Sequence, residues 1–427
     1  MMRRIISCVG LLVAAAPVLS AEVDYALSAG LAHSDNIEQQ PAGSERSSTS
    51  AVAGLELRGS RPQGRLRYDI ATDVSYYDYL SNNLDSELLG RAALQSSYDF
   101  IRDSVSWNAS LGYDQIRQDI LRPLAPGNIE DQLTFSTGPT LRAHFSNVME
   151  AQLDGKYTRL EYGDRPFDNE TLSARAQIGR RASPRSLLAI GGSYDAVSFL
   201  SGTGSSTLDY DRRELFARVE YEAARTAVAL EAGYSDVSGE LVDDSGPVFR
   251  AQLSRKLTPV LKGYINAVRE YPTSAPTPLS ADPTVSGAGA IDNSLLTSGP
   301  RQATSLDGGL RLERPRTQAE IGYMWRKEDA VVGIGKRDYQ EVHTRLIRLF
   351  TPRVRGGFYA ALTSDDLPAT TQTVKELVAR VELGVSIGRR LGLDARVERR
   401  ERDGDISELS GGIFLRYSTF SNQDAMR

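Results

Sequence analysis

The chain has 427 residues, 40% of them hydrophobic, with 50 basic and 55 acidic side chains and a net charge of −5. That balance leaves no basic footprint for nucleic acid, and mixed-sign charge spread along the whole length suits a hydrated interior better than a docking patch. One cysteine, Cys8, excludes a disulfide framework, and three scattered histidines, His33, His144 and His343, fit no recognised metal spacing.

At the start, Arg3 and Arg4 precede an apolar run from Ile5 to Leu19 and the small residues Ser20 and Ala21. This is the order of a secretory signal peptide, with cleavage expected after Ser20 or Ala21. The run is short of the roughly 20 residues a membrane-spanning helix requires. Cleavage would leave residues 22–420 as one barrel domain and 421–427 as a short periplasmic tail, with no cysteine in the mature chain.

Beyond the signal, apolar and polar residues alternate in short runs, the period of a strand with one face greasy and one polar. Strands are predicted near 25–36, 48–59, 65–79, 87–98, 104–117, 132–145, 148–162, 170–181, 186–199 and 211–222. They continue near 226–238, 247–256, 260–271, 303–313, 318–329, 338–350, 353–364, 374–388, 391–402 and 408–420. Every second connection is tight, as at Arg314-Pro315-Arg316, Thr351-Pro352 and Arg389-Arg390, whereas those between are longer and rich in Gly, Ser, Asp and Pro. Alternation of short turn and long loop predicts an all-β, transmembrane, up-and-down antiparallel barrel of about 20 strands (range roughly 16–20), with short periplasmic turns and longer outer loops. It implies a cell outer membrane of a Gram-negative bacterium, with membrane lipid as the barrel's surroundings.

Parity along each strand separates two faces. Leu66, Tyr68, Ile70, Thr72, Val74 and Tyr76 are expected to face lipid, as are Val105, Trp107, Ala109, Leu111 and Tyr113, and Ala319, Ile321, Tyr323 and Trp325. Tyr and Trp towards the loop ends match an aromatic girdle at headgroup level. In the hairpin of residues 374–403, Leu377 to Ile387 and Leu391 to Val397 supply the same apolar face at every second position. The opposite parity collects the expected pore lining: Arg65, Arg67, Asp69, Asp73, Arg142, Arg175, Arg218, Glu220, Arg250, Tyr264, Arg311, Glu320, Glu341, Arg355, Tyr359, Arg380, Glu382, Asp394, Arg396, Glu398 and Arg416. Glu150, Asp154, Asp307, Arg326 and Arg345 join them. In a dry core each such charge would cost several kcal/mol unless paired, whereas a water-filled lumen accepts them.

No arrangement for catalysis or cofactor binding stands out. The G-x-S-x-G elbow of hydrolases is absent, and Gly202-Thr203-Gly204-Ser205-Ser206 lacks the ending of a phosphate loop. Asp403, Asp405 and Glu408 do not fit a calcium loop and read as a solvated acidic turn. Asn108 and Asn169 begin glycosylation sequons, discounted because the surrounding architecture is bacterial. No enzyme activity, cofactor or metal is expected. The segment 272–302, long, Pro-rich and nearly uncharged, is expected to gate or cap the lumen.

Two end segments carry a family resemblance. Leu27 to Ile37 (LSAGLAHSDNI), with His33 where an aromatic is usual, and Gly412 to Tyr417 (GIFLRY) are similar to the opening and closing strands of bacterial outer-membrane barrels of the β-barrel porin 2 type. The closing segment resembles the signal read by the barrel-assembly machinery, which the resemblance implies as a partner. It also implies exopolysaccharide export, with Tyr264 and Tyr359 offering sugars stacking and hydrogen bonds, and a periplasmic export partner. General diffusion porin, surface-displayed structural or adhesive barrel, and barrel-embedded hydrolase are the competing readings.

Overall fold

The computed structural model describes residues 23–81, 84–117, 126–163, 168–200, 209–272, 301–331, 335–366 and 373–419. The expected signal peptide, the tail 421–427 and nearly all of the proposed gating segment lie outside the described residues. Every regular element described is a strand: β1 (Val23–Ser34), β2 (Ser48–Arg61), β3 (Leu66–Tyr79), β4 (Glu87–Ile101), β5 (Val105–Arg117), β6 (Ile129–His144) and β7 (Met149–Tyr162). β8 (Asn169–Ser183), β9 (Ser186–Phe199), β10 (Tyr210–Glu222), β11 (Thr226–Gly239), β12 (Asp243–Lys256), β13 (Leu261–Glu270) and β14 (Arg301–Arg314) follow. The series ends with β15 (Thr317–Ala330), β16 (Lys336–Thr351), β17 (Val354–Asp366), β18 (Thr373–Ser386), β19 (Leu391–Arg402) and β20 (Ile406–Ser418).

Each strand pairs antiparallel with the next, and β20 returns to β1 over Ala26↔Ser418 to Ser34↔Ser410, closing a 20-stranded sheet. Closure satisfies the ladder hydrogen bonds of both terminal strands and leaves no edge to pair with another chain. Twenty strands place the barrel between the 16–18-stranded porins and the 22-stranded transporters in girth.

Directly paired residues share a face, so the register carries one assignment of sides around the whole barrel. The concave side is the one on which side chains reach past one or two intervening strands. Arg175 of β8 meets Glu231 of β11 at 2.5 Å, and Arg416 of β20 meets Glu56 of β2 at 2.7 Å. The other face carries exposed Leu27, Leu172, Ile190, Leu215, Ile321 and Val381. Water would not tolerate so continuous an apolar band, and lipid does. Trp107, Tyr113, Tyr323 and Trp325 lie on that outer face by register.

Four expectations are corrected. Arg65, assigned to the inner wall, lies exposed in the turn before β3, because the ladder with β4 begins only at Leu66↔Tyr98. The alternation of short and long connections is not strict. Residues 240–242 and 403–405 are as short as the turns: Gly239 donates to the Val242 carbonyl at 2.7 Å, and Asp403 and Gly404 take φ of 51° and 76°. β12 starts at Asp243 instead of near Pro247, since Pro247 sits opposite Tyr234 within the pairing and does not end it. Finally, Tyr68, Ile70, Thr72 and Val74 are on the outer face by register yet buried. Beside Val74, β4 approaches closely. Gly90, at φ 145°, leaves so little room that a Cβ there would stand 2.1 Å from the Asp73 carbonyl oxygen.

Candidate functional site

The inner wall is the part of the molecule with chemistry to offer. β-strand parity puts Arg67, Asp69, Asp73, Arg142, Arg175, Arg218, Glu220, Arg250, Tyr264, Arg311 and Glu320 on it. Glu341, Tyr359, Arg355, Arg380, Glu382, Asp394, Arg396, Glu398 and Arg416 share the same side. These residues are not strung out singly. Asp73, Arg345, Arg355, Glu382, Asp394, Arg396 and Arg416 line one inner recess together with Tyr77 and Phe414.

Small residues on intervening strands let these charges meet. Gly384 of β18 stands between Arg355 of β17 and Asp394 of β19, which pair across it at 3.2 Å. A Cβ on Gly384 would lie 2.6 Å from Arg355 Nε and from Asp394 Oδ1, so the bridge in this geometry uses the space that glycine leaves. Gly309 works similarly: the Tyr264 ring crosses it so that the phenol donates to Glu320 Oε1 at 3.0 Å, with Arg311 bonding the same carboxylate. Arg416 reaches Glu56 past β1, where the row carries Ala26 and Ser28.

A second cluster spans β8 to β13. Arg250 donates to Glu214 at 2.6 Å, Glu231 at 2.7 Å and Glu270 at 2.7 Å. Glu231 also takes Arg175, whose guanidinium lies 3.8 Å from the Phe216 ring centroid. Glu231 and Glu214, hubs of this cluster, were not singled out in the sequence, although continuing the parity through β10 and β11 would have reached both. The same holds for Asp195 with Arg212, and for Arg400 beside Glu398.

The wall divides by height. Near the loops the charged side chains are buried: Arg301, Glu328, Arg337, Glu376, Arg380, Arg400 and Arg402. Near the turns Arg67 and Arg311 are roughly half open to solvent and Arg142 is exposed, although the partner carboxylates Asp99 and Glu320 are largely covered.

The histidines remain apart. His33 is on the outer face and shares a 2.9 Å hydrogen bond with Thr49. His144 ends β6, and His343 Nδ1 lies 3.0 Å from Glu341 on the inner wall. Among the described residues there is no grouping of three or more potential metal ligands. Of the acidic trio near the last loop, Asp403 accepts from the Lys375 amide, while Glu408 faces inward and accepts from Ser34 and Gln39. Asn108 also turns inward, to Thr140, and Asn169 is buried.

Apolar outside, charged inside and closed by its own ends, the chain is a 20-stranded antiparallel β-barrel of the kind that spans outer membranes. No family profile and no curated protein matches it. Among solved structures it is similar to the siderophore receptor PirA from Pseudomonas aeruginosa, at 10% identity and TM-score 0.44, over 93% of this chain and 80% of that one. It is also similar to the FrpB iron transporter from Neisseria meningitidis, at 8% identity and TM-score 0.46, over 93% and 82%. The ferric enterobactin receptor PfeA of Pseudomonas aeruginosa, in a mutant form with enterobactin, gives 11% and 0.47 over 93% and 82%. At that distance the likeness says nothing of cargo.

Proposed function

We propose that the barrel is an outer-membrane conduit for polar solutes. The observation that supports it best is the paired, solvent-open charge of both signs on the turn-side inner wall. Such a wall solvates a passing polar molecule without binding one ion tightly. Because Arg and carboxylate alternate there, conduction should show weak preference between cations and anions. Refolded protein in a planar bilayer should give discrete conductance steps in potassium chloride with a reversal potential close to zero under a salt gradient. Absence of steps from correctly folded protein would overturn this reading.

The narrower cargo within it is polysaccharide, supported by the resemblance of the two end segments and by inner-face Tyr77, Tyr264, Tyr359 and Phe414 interspersed with hydrogen-bonding charges. Liposomes carrying the barrel should then swell in linear oligosaccharides faster than in a bulky branched sugar of equal mass. Equal rates would leave a general diffusion porin. Deletion of the gene with normal polysaccharide secretion would remove the narrower cargo alone.

A further inference from the structure

The two ends of the barrel differ in charge. The turns at the end that also holds Val23 and Ser418 carry Arg65 and Arg102, and then Arg185, Arg225, Arg316, Arg353, Arg389 and Arg390, against one acid, Asp103. All eight arginines are exposed. Of the described connections at the other end, Asp35, Glu38, Glu45, Glu240, Asp403 and Asp405 set an acidic tone, and Arg46 is tied to Glu38 at 3.6 Å.

The turn arginines depart from the habit of the rest of the molecule. Many of those on the inner wall are held by carboxylates, whereas no described carboxylate stands within ion-pair distance of Arg185, Arg225, Arg316, Arg353, Arg389 or Arg390, and of these six guanidinium groups that of Arg390 bonds a described polar side chain, the Tyr417 hydroxyl at 3.0 Å. A second observation places this rim. Phe100, Ile101, Phe145, Leu257, Phe350 and Ile387, at the turns or one residue inside them, are exposed large hydrophobics. A rim bathed in bulk water would not carry greasy side chains between its arginines. One seated where acyl chains give way to headgroups would, with the hydrophobes dipping in and the guanidinium groups held at phosphate depth.

We propose that the turn-side rim is a binding surface for anionic phospholipid headgroups, with Arg185, Arg225, Arg316, Arg353, Arg389 and Arg390 as its phosphate contacts. The ring runs around the circumference instead of occupying one sector, which suits an annulus of lipid better than a single docked protein. Planar guanidinium forks match phosphate oxygens two at a time. The inference rests on the barrel spanning a membrane and is independent of what passes through it.

The test is lipid selectivity at the barrel surface. The full barrel is reconstituted in phosphatidylcholine, and the motionally restricted fraction of spin-labelled phosphatidylglycerol is compared with that of spin-labelled phosphatidylcholine. A preference for the anionic lipid of about threefold or more is expected, decaying to near parity at about 0.5 M sodium chloride. The combined variant Arg185→Ser, Arg225→Ser, Arg316→Ser and Arg353→Ser should lose most of it while keeping heat-modifiable migration on a gel. Equal retention of both lipids by the unmodified protein overturns the proposal, as does a preference that persists in the folded variant. Should the variant not fold, the salt series on unmodified protein decides, and a preference indifferent to salt overturns the proposal. Parity of lipids accompanied by loss of a co-purifying acidic protein in the variant would assign the rim to a protein partner instead.

Discussion

On β19, Glu398 and Asp394 stand four residues apart on the same inner face, and they live in different electrostatic worlds. Glu398, nearer the loops, takes Arg380 at 2.6 Å and Arg400 at 3.1 Å, with side-chain exposures of 12%, 6% and 6%. Asp394, nearer the turns, meets Arg355 at 3.2 Å with 25% and 28% of the side chains open. Both are ion pairs drawn from the same residue types. Burial decides what they are worth, because desolvated charges depend wholly on each other and hydrated ones share the work with water. The loop-side wall is thus cross-linked through desolvated pairs, and the turn-side wall presents more of its charge, its arginines above all, to water.

The comparison can be broken most forcefully at Glu398. Glu398→Ala removes the shared acceptor of two buried guanidinium groups, leaving Arg400 with Glu376 at 3.4 Å and Arg380 with Glu382 at 3.9 Å, and should cost about 3–5 kcal/mol of unfolding free energy. Urea titration of refolded protein, followed by the fluorescence of Trp107 and Trp325, would measure it. A loss below about 1 kcal/mol, the range of exposed pairs, would mean that this end is wet as well.

Turning to the two faces of the same hairpin, Val381 is exposed on the outer face and Glu382 lies on the inner wall. Val381→Arg should cost about 2–4 kcal/mol if the site is near the bilayer midplane, and Glu382→Arg far less. Refolding yield into vesicles by heat-modifiable migration distinguishes them. Equal yields would reverse the assigned sides.

A smaller effect probes the pinch at β3 and β4. Gly90→Ala introduces a Cβ against the Asp73 carbonyl and should cost about 1–3 kcal/mol through displacement of the two strands. Full stability in the same urea titration would show that the approach is not constrained. The smallest change is expected at the turn-side member of the opening pair. Asp394→Ala should lower stability by less than about 1 kcal/mol while shifting the conductance reversal potential towards anions. A cost similar to that of Glu398→Ala would abolish the division between the two halves.

Much of this fold was legible because a closed barrel with an apolar outer face obeys a period of two with little interference. Leu377 to Ile387 and Leu391 to Val397 announce their outer face, and Gly388-Arg389-Arg390 announces the turn between them. Arg65 shows the limit of parity, which continues past the point where a strand begins to pair. Pro247 shows another: a residue that cannot donate to a ladder looks like a break, although its place in the pairing tolerates one. Tyr68 and Val74 have outward parity and buried side chains, and parity along one strand does not encode what covers a residue.

By itself, the sequence determined the all-β class, the order of strands, the side of the wall to which most charges belong and the basic character of the turns. Alternation, turn residues and charge are properties of neighbours in the chain. Tertiary structure decided closure through β1 and β20, the glycine-floored bridges such as Arg355–Asp394 across Gly384, and the gathering of Arg175, Arg250 and Arg218 around Glu231. These join residues from separate strands, and only the register sets which of them lie side by side. It also decided which charges are dry, because burial belongs to the curvature of the whole wall and to no single strand.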